Sequence, residues 1–441
     1  MMTTILPEVP VSLQPRELIL HRNETVQLSG CVYKIRKMSG FAFVLLQMRE
    51  EILQCVWSET FSGFSLETLQ CGMSVEAEGI VVAEPRSHSG YEVRLQKIRV
   101  LSTPEAEPPL VIHNREVNVS LEIMLDYRPL TLRNERQRAI FKIQAAICAG
   151  LRSFFSENGF IEIHTPKLCA GTAEGGANVF RLDYFGKEAF LATSPQLYKQ
   201  IMVGALERVY EIGPVFRAEK HDTSRHINEY TSVDVEMGFL RDFQQLMQLE
   251  IAMLAHVFQS LRQTCPAELK LCGAQLPACE KIPVIPFAEA KQLVSETFHR
   301  AITDTEDFEP EEERLLCQIM AEQTGSEFVF VSHYRSSKRP FYAKDTPSNP
   351  QITESFDLLF RGLEITTGGQ RIHDYAQQVK KMRERGMDPA AFESYLMAHR
   401  YGLPPHGGFG LGLERLTARL LNLENIRSAT LFPRDINRLT P

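Results

Sequence analysis

The chain has no run of about eighteen apolar residues, and its start, MMTTILPEVPVSLQPRELIL, has neither a basic leader nor a long apolar core. Neither a membrane-spanning helix nor a secretory signal is expected, and no membrane partner. Paired cysteines are missing too. The nine thiols run from Cys31 to Cys317, an odd number without disulfide-framework spacing, which fits a reducing cytoplasm. Cys265, Cys272 and Cys279 recur every seventh residue, whereas zinc ligands usually pair at roughly two to four, so this cluster is not expected to hold metal. An excess of positive charge is also absent. The net charge of −7 argues against unspecific coating of nucleic acid, though not against a local groove. No internal repeat or low-complexity tract appears. What is present is 441 residues at 44% hydrophobic content, enough for two or three packed domains.

Residues 24 to 103 read as short strands. ETVQLSGCVYKIR, FAFVLLQM, EILQCVW, MSVEAEGIVVAE and YEVRLQKIRVLS are β-rich and separated by Gly, Ser and charged turns. Five strands in so short a span predict a small closed barrel of the oligonucleotide-binding (OB) type over residues 1–103. Residues 104–134 are rich in Pro and charge without a sustained period and read as a hinge. From Glu135 the pattern turns helical, with Ile140, Ile143, Ile147 and Leu151 on one stripe ending near Asn158–Gly159. A long α+β region, residues 135–441, then runs to the C-terminus.

The densest charge lies in FRAEKHDTSRHINEYTSVDVEM, residues 216–237. ERVYEIGPVFRAEK and YTSVDVEMGF alternate like strands, and HDTSRHIN between them has turn chemistry, so an antiparallel hairpin with a long tip is predicted. Its period-2 geometry puts Arg217 and Glu219 on one face and Asp234 and Glu236 on one face of the return strand. A solvated hairpin laced with ion pairs has the same pattern. Three other stretches point further. In SFDLLFRGLEITTGGQRIHDY, Asp357 and Glu364 flank the turn-prone Arg361–Gly362, so they are expected as near cross-strand neighbours that repel unless a cation sits between them. Mg2+ shared with substrate phosphates is the commonest such arrangement. HGGFGLGLERLTARLLNL is a Gly-rich strand entering a helix whose Leu413, Leu416, Leu420 and Leu421 face a core, with Arg415 at an anion-favouring helix start. The third, TAEGGANVF, is a Gly-rich loop carrying Glu174.

Together these stretches resemble the class II aminoacyl-tRNA synthetases, in particular the archaeal-type aspartyl branch, over nearly the whole chain. GFIEIHTPKL resembles motif 1, VFRAEKHDTSRHINEYTSVDVEM motif 2 and GGFGLGLERL motif 3, in the family's order and accompanied by SPQLYKQ and RIHD. The resemblance implies an anticodon-reading OB barrel followed by a catalytic domain of antiparallel sheet flanked by helices. It implies ATP, Mg2+, L-aspartate and tRNA as ligands, and a homodimer with Pro166 at the interface. Arg217 would bridge the α-phosphate and the substrate carboxylate, with Glu219 and Arg415 beside it as catalytic residues. His226 and Arg415 would hold the γ-phosphate, Tyr230 would stack on adenine opposite Arg415, and Glu219 and Glu229 would orient the adenine and the arginine. Asp357, Glu364 and Thr367 would carry Mg2+, Glu364 also serving ATP. Gln196, Lys199 and Arg371 would take the side-chain carboxylate of aspartate, two cations against one carboxylate. Asp234, Ser194 and Glu174 would take the α-amino group.

The barrel departs from the family pattern. Cys31 stands where members usually carry tryptophan, and Gln47–Met48 where they carry a polar pair. Phe43 remains as a stacking platform for an anticodon base, with the barrel core as its alternative, and Arg36 and Gln47 as neighbouring contacts. Residues 1 to 103 hold 10 Lys+Arg against 11 Glu and no Asp, so no basic funnel is visible. Three rival readings follow: an asparagine-activating enzyme, disfavoured by Lys199; an adenylating paralogue that charges no tRNA, favoured only by the altered barrel; and a non-enzymatic binding protein, disfavoured by intact Arg217, Asp357, Glu364 and Arg415.

Overall fold

Alternating burial along five strands builds the N-terminal unit, residues 1–137. In the computed structural model β1 (Thr25–Lys37), β2 (Ala42–Gln47), β3 (Ile52–Trp57), β4 (Ser74–Ala83) and β5 (Tyr91–Ser102) close into a barrel in the order β1-β2-β3-β5-β4. All five expected strands are present. The structure describes residues 13, 15–87, 89–171 and 178–440. Along β2 the pattern is strict: Ala42, Val44 and Leu46 are fully buried, while Phe43, Leu45 and Gln47 lie on the outer face.

The segment read as a hinge holds two short helices, Leu121–Asp126 and Arg128–Thr131. It is ordered by buried polar groups. Arg128 donates to Gln137 at 3.1 Å, and Asn134 to the carbonyls of Ile112 and Asn114 at 2.9 and 2.8 Å. Order of this kind leaves no apolar period in the sequence.

The second unit, residues 138–441, is built on one eight-stranded sheet. Its strands are β6 (Ile161–Glu162), β7 (Arg208–Phe216), β8 (Glu229–Gly238), β9 (Val284–Pro286), β10 (Phe328–Ser332), β11 (Ser355–Phe360), β12 (Leu363–Gln370) and β13 (His406–Gly412). They lie in the order β9-β10-β11-β12-β13-β8-β7-β6, antiparallel except for the two edge pairs β6/β7 and β9/β10. Period-2 alternation sorts the sheet's two faces. Phe328 and Phe330 of β10 join the helices α1 (Glu135–Glu157), α3 (Gln244–Thr264) and α5 (Leu413–Leu420) in one core. Val329 and Val331 face the opposite way, onto α4 (Pro310–Thr324). The stripe Ile140, Ile143, Ile147 and Leu151 is buried as expected, and so are Leu413, Leu416, Leu420 and Leu421. Each such side chain contributes about 1.5–3 kcal/mol by leaving water. The helix α2 (Gln196–Leu206) packs on β7 and β8.

Candidate active site

The charged hairpin exists as β7 and β8, paired from Arg208↔Met237 to Phe216↔Glu229. Regular pairing stops at Phe216, so Arg217 and Glu219 lie on the tip instead of the strand. The tip is held by Asn228, whose side-chain amide donates to the carbonyls of Arg217 and Glu219 at 2.7 and 2.9 Å. Arg217 Nη1 approaches Glu219 Oε1 at 3.8 Å, and His226 Nε2 lies 3.9 Å from Glu219 Oε2. Burial holds His226 below its ordinary pKa against the pull of Glu219, which favours the neutral ring. Thr223 Oγ1 lies 2.7 Å from its Nδ1. Arg217 Cζ stands 5.7 Å from the Tyr230 ring.

Alternation along β8 decides which residues face in. Tyr230, Ser232 and Asp234 line a cavity of about 370 Å³, together with Ser194, Gln196, Arg217, Glu219, His226, Glu364, Thr367, Arg371 and Arg415. Glu229, expected at ATP, is exposed and outside the cavity wall: with Tyr230 facing in, its neighbour on the strand faces out. Glu174 lies outside the described residues.

The β11–β12 hairpin turns at Arg361 (φ 46°) and Gly362 (φ 79°), both left-handed as a tight two-residue turn requires. A register shift between Leu358 and Leu359 then moves the partner of Asp357 on by one residue. Asp357 faces Thr367, and Glu364 faces Leu359, so the two carboxylates are near but not opposite. The cation beside Asp357 in this state is Arg339, with Nη2 2.8 Å from Oδ2. Thr367 Oγ1 donates to Glu364 Oε1 at 3.0 Å, and Arg415 Nη1 to the Glu364 carbonyl at 2.8 Å. Burial raises Glu364, but Arg415 and Arg339 outweigh it and hold the carboxyl below its usual range. Burial dominates at Asp357 and pushes it up. Asp357 Oδ1 is buried without a hydrogen-bond partner. Among the described residues no group of three or more His, Cys, Asp or Glu could hold a metal. An oxygen set of Asp357, Glu364 and Thr367 still fits a hard cation that completes its shell with phosphates and water.

At the other end lie Lys199 on α2 and Arg371 just past β12. Lys199 Nζ is buried against Asp234 Oδ1 (2.9 Å), Glu236 Oε2 (3.4 Å) and the Phe409 carbonyl (3.1 Å). Arg371 donates to Glu236 at 3.0 Å and to the Gly408 carbonyl at 2.9 Å. Two cations therefore meet two carboxylates before any substrate arrives. The expectation of two cations free for one carboxylate is corrected, because the β8 face that carries Asp234 also carries Glu236. Arg371 lines the cavity and Lys199 does not. Among the groups left unsatisfied here are the acceptor Asp234 Oδ2 and the donor Gln196 Nε2, both buried without a partner. Gly408 is required here, since a Cβ on it would meet the Val235 carbonyl at 1.9 Å and Glu236 Oε2 at 2.3 Å.

Several cavity residues escaped the sequence reading. Arg225, on the hairpin tip, pairs with Glu313 of α4, whose carboxyl burial raises to about 7. Glu414 accepts from the Thr231 amide at 3.0 Å, and burial raises it to about 7. Lys338 and Arg339 come from a segment with no motif. Their adjacency in SSKRPFY was the only visible signal.

On the barrel, Phe43 is half-buried on the outer face, with Arg36 exposed directly across the strand pair. Phe43 therefore does not belong to the barrel core. Gln47, expected at an anticodon base, donates its side-chain amide to the Arg133 carbonyl at 2.6 Å. Met48, where family members usually carry a polar residue, belongs to the barrel core and is 3% exposed. All nine cysteines are free, and Cys265, Cys272 and Cys279 are buried. No described helix is long and apolar enough to cross a membrane.

Residues 120–436 match the family described as tRNA synthetases class II (D, K and N), and residues 26–101 match the OB-fold nucleic acid binding domain. The chain is similar to the aspartate–tRNA(Asp/Asn) ligase of Deinococcus radiodurans, 47% identical over 97% of this chain and 98% of that one. It is 41% identical to the aspartate–tRNA(Asp) ligase of Pyrococcus abyssi over 94% of this chain and 96% of that one. Among solved structures, asparaginyl-tRNA synthetase from Pyrococcus horikoshii complexed with asparaginyl-adenylate aligns with a TM-score of 0.88 at 33% identity, covering 96% of this chain and 97% of that one.

Proposed function

The chain belongs to the class II tRNA synthetases of the D, K and N group, and from that premise we propose an aspartate–tRNA ligase that accepts both aspartate and asparagine tRNA. The observation that carries the reaction is the convergence of Arg217, Glu219, His226, Tyr230, Asp234, Glu364, Arg371 and Arg415 on one cavity. An α-carboxylate oxygen of aspartate attacks the α-phosphorus of ATP, pyrophosphate leaves, and the 3′-hydroxyl of tRNA then attacks the carbonyl carbon and releases AMP. Such transfers need positioning and charge neutralisation more than covalent help. Arg217 bridges the α-phosphate and the carboxylate, where a planar bidentate guanidinium suits both. His226 and Arg415 take the γ-phosphate, Tyr230 stacks on adenine, and Glu219 orients Arg217. Asp357, Glu364 and Thr367 hold Mg2+, which when bound neutralises charge on the phosphates.

Asp234 Oδ2 and Gln196 Nε2 are an acceptor and a donor waiting for a zwitterion, with Ser194 beside them. Arg371 meets the substrate side chain directly, while Lys199 fixes Asp234 and Glu236 beneath it. Asparagine fails here because its amide NH₂ brings donors to a guanidinium that has only donors, leaving polar groups unpaired in the bound state. The enzyme works in the cytoplasm as a homodimer, with Ile161 and Leu168, 46% and 49% exposed on either side of Pro166, as the apolar surface supporting that pairing.

Relaxed tRNA choice is supported by two observations: Cys31 in place of a bulky ring, and relatives bearing the Asp/Asn name at 47% and 45% identity. Aspartate and asparagine anticodons differ at the third letter only, and a small half-buried thiol penalises a wrong base by about 1 kcal/mol, under tenfold. Side-by-side aminoacylation of both tRNA transcripts with aspartate and with asparagine tests this. A kcat/KM ratio below about ten with aspartate is expected, whereas a hundredfold preference for aspartate tRNA overturns relaxed choice. Charging with asparagine overturns the amino-acid assignment.

A further inference from the structure

Arg339 lines the cavity after the short helix Ser336–Lys338, with its side chain only 11% exposed. Its Nη2 stands 2.8 Å from Asp357 Oδ2, and its Cζ 3.9 Å from the centre of the Tyr334 ring. One carboxylate and one aromatic face therefore fix the guanidinium. The ion pair is close and buried on both sides, and the charge of Arg339 acts on Asp357 more strongly than their hydrogen bond does. Glu364 is near enough to act electrostatically on both Asp357 and Arg339. Arg339 reaches the cavity wall while Asp357 does not, so the guanidinium covers that carboxylate.

We infer that Arg339 is a placeholder cation, neutralising Asp357 in the nucleotide-free enzyme and turning to the phosphates when Mg2+ enters with ATP. The inference rests on the assignment of Asp357 and Glu364 to Mg2+. Two neighbouring buried carboxylates without a cation are strongly unfavourable, so the fold must supply a charge or leave a carboxyl protonated. A guanidinium supplies it at every accessible pH. A pair already neutralised attracts bare Mg2+ weakly. Phosphates change the balance, because they offer Arg339 a new bidentate partner and offer the metal further oxygen ligands. Metal binding is thereby made conditional on nucleotide.

The test is Mn2+ binding to the full-length protein, followed by electron paramagnetic resonance with the metal alone and with a non-hydrolysable ATP analogue. Wild type should bind Mn2+ weakly by itself. Arg339→Met should bind one ion without nucleotide at least about tenfold more tightly, with Arg339→Lys between them. Equal affinity of wild type and a folded Arg339→Met overturns the inference. If Arg339→Met does not fold, the melting temperature of the wild type decides: no rise with Mg2+ alone but a rise with Mg2+ and analogue supports the placeholder, and a rise with Mg2+ alone overturns it. If Glu364→Gln binds Mn2+ with the analogue as wild type does, the Mg2+ assignment itself falls. That outcome is separate from the response of Arg339.

Discussion

The catalytic cavity and the barrel hold their charges differently. Lys199, Arg371 and Arg339 are each paired at 2.8–3.0 Å with a carboxylate that is at most 8% exposed. On the barrel, Lys37–Glu67 is 62% and 78% exposed, and Lys97–Glu78 is 74% and 28% exposed. Surface pairs of that kind are worth about 0–1 kcal/mol and are screened by salt, whereas breaking a buried one costs about 3–5 kcal/mol. The cavity's charges are thus paired inside the fold before any substrate arrives. The barrel carries Phe43 and Arg36 on an open outer face, with its charges paired in solvent.

The largest effect should come from the buried cation beneath the cavity. Lys199→Leu leaves Asp234 and Glu236 with Arg371 alone, so aspartate-dependent ATP–pyrophosphate exchange should fall at least about a thousandfold, and the protein should lose about 3–5 kcal/mol of stability. Exchange is measured at a temperature where near-ultraviolet circular dichroism shows the variant folded. Near wild-type kcat/KM there would remove Lys199 from the amino-acid site. Next in size is Glu364→Gln, which should slow adenylate formation by about 10²–10³ at saturating Mg2+. Normal exchange would place the β11–β12 hairpin outside catalysis. A smaller effect should separate the two regions cleanly. Phe43→Ala should raise the KM for tRNA about tenfold, in line with ~1–3 kcal/mol for a lost base stack, and leave pyrophosphate exchange unchanged. A matching loss in exchange would show that the contrast between the regions is false. In the wild type, raising salt should weaken charging well before it weakens exchange, since only the barrel's contacts are screened.

Much of this was legible residue by residue. The five barrel strands, the stripe of α1, the hairpin and the Gly-rich entry to α5 follow from periods of 2 and 3.6 and from turn chemistry, all of which act over a few residues. Resemblance to the family's motifs pointed to Arg217, Glu219, His226, Tyr230, Asp234 and Arg415, which the fold brings to one cavity. Arg225, Arg339, Glu313 and Glu414 were missed because a charge in sequence reads as surface until a buried partner appears. The outward side of Glu229 depends on where the hairpin's pairing ends, and the hydrogen bond of Gln47 on a partner 86 residues away, neither of which a local period carries.

By itself the sequence determined which segments are strands and helices, which faces are apolar, and that cations and carboxylates gather in a few short stretches. Only the tertiary structure decided the pairing. Periodicity assigns a residue to a face but names no partner, and a one-residue register shift at Leu358–Leu359 is enough to set Asp357 opposite Thr367. Asp357 then meets Arg339, from a segment with no periodicity of its own. Pairing energies in a low-dielectric interior depend on separations of a few ångströms, and those are set by strand register and helix packing across distant parts of the chain.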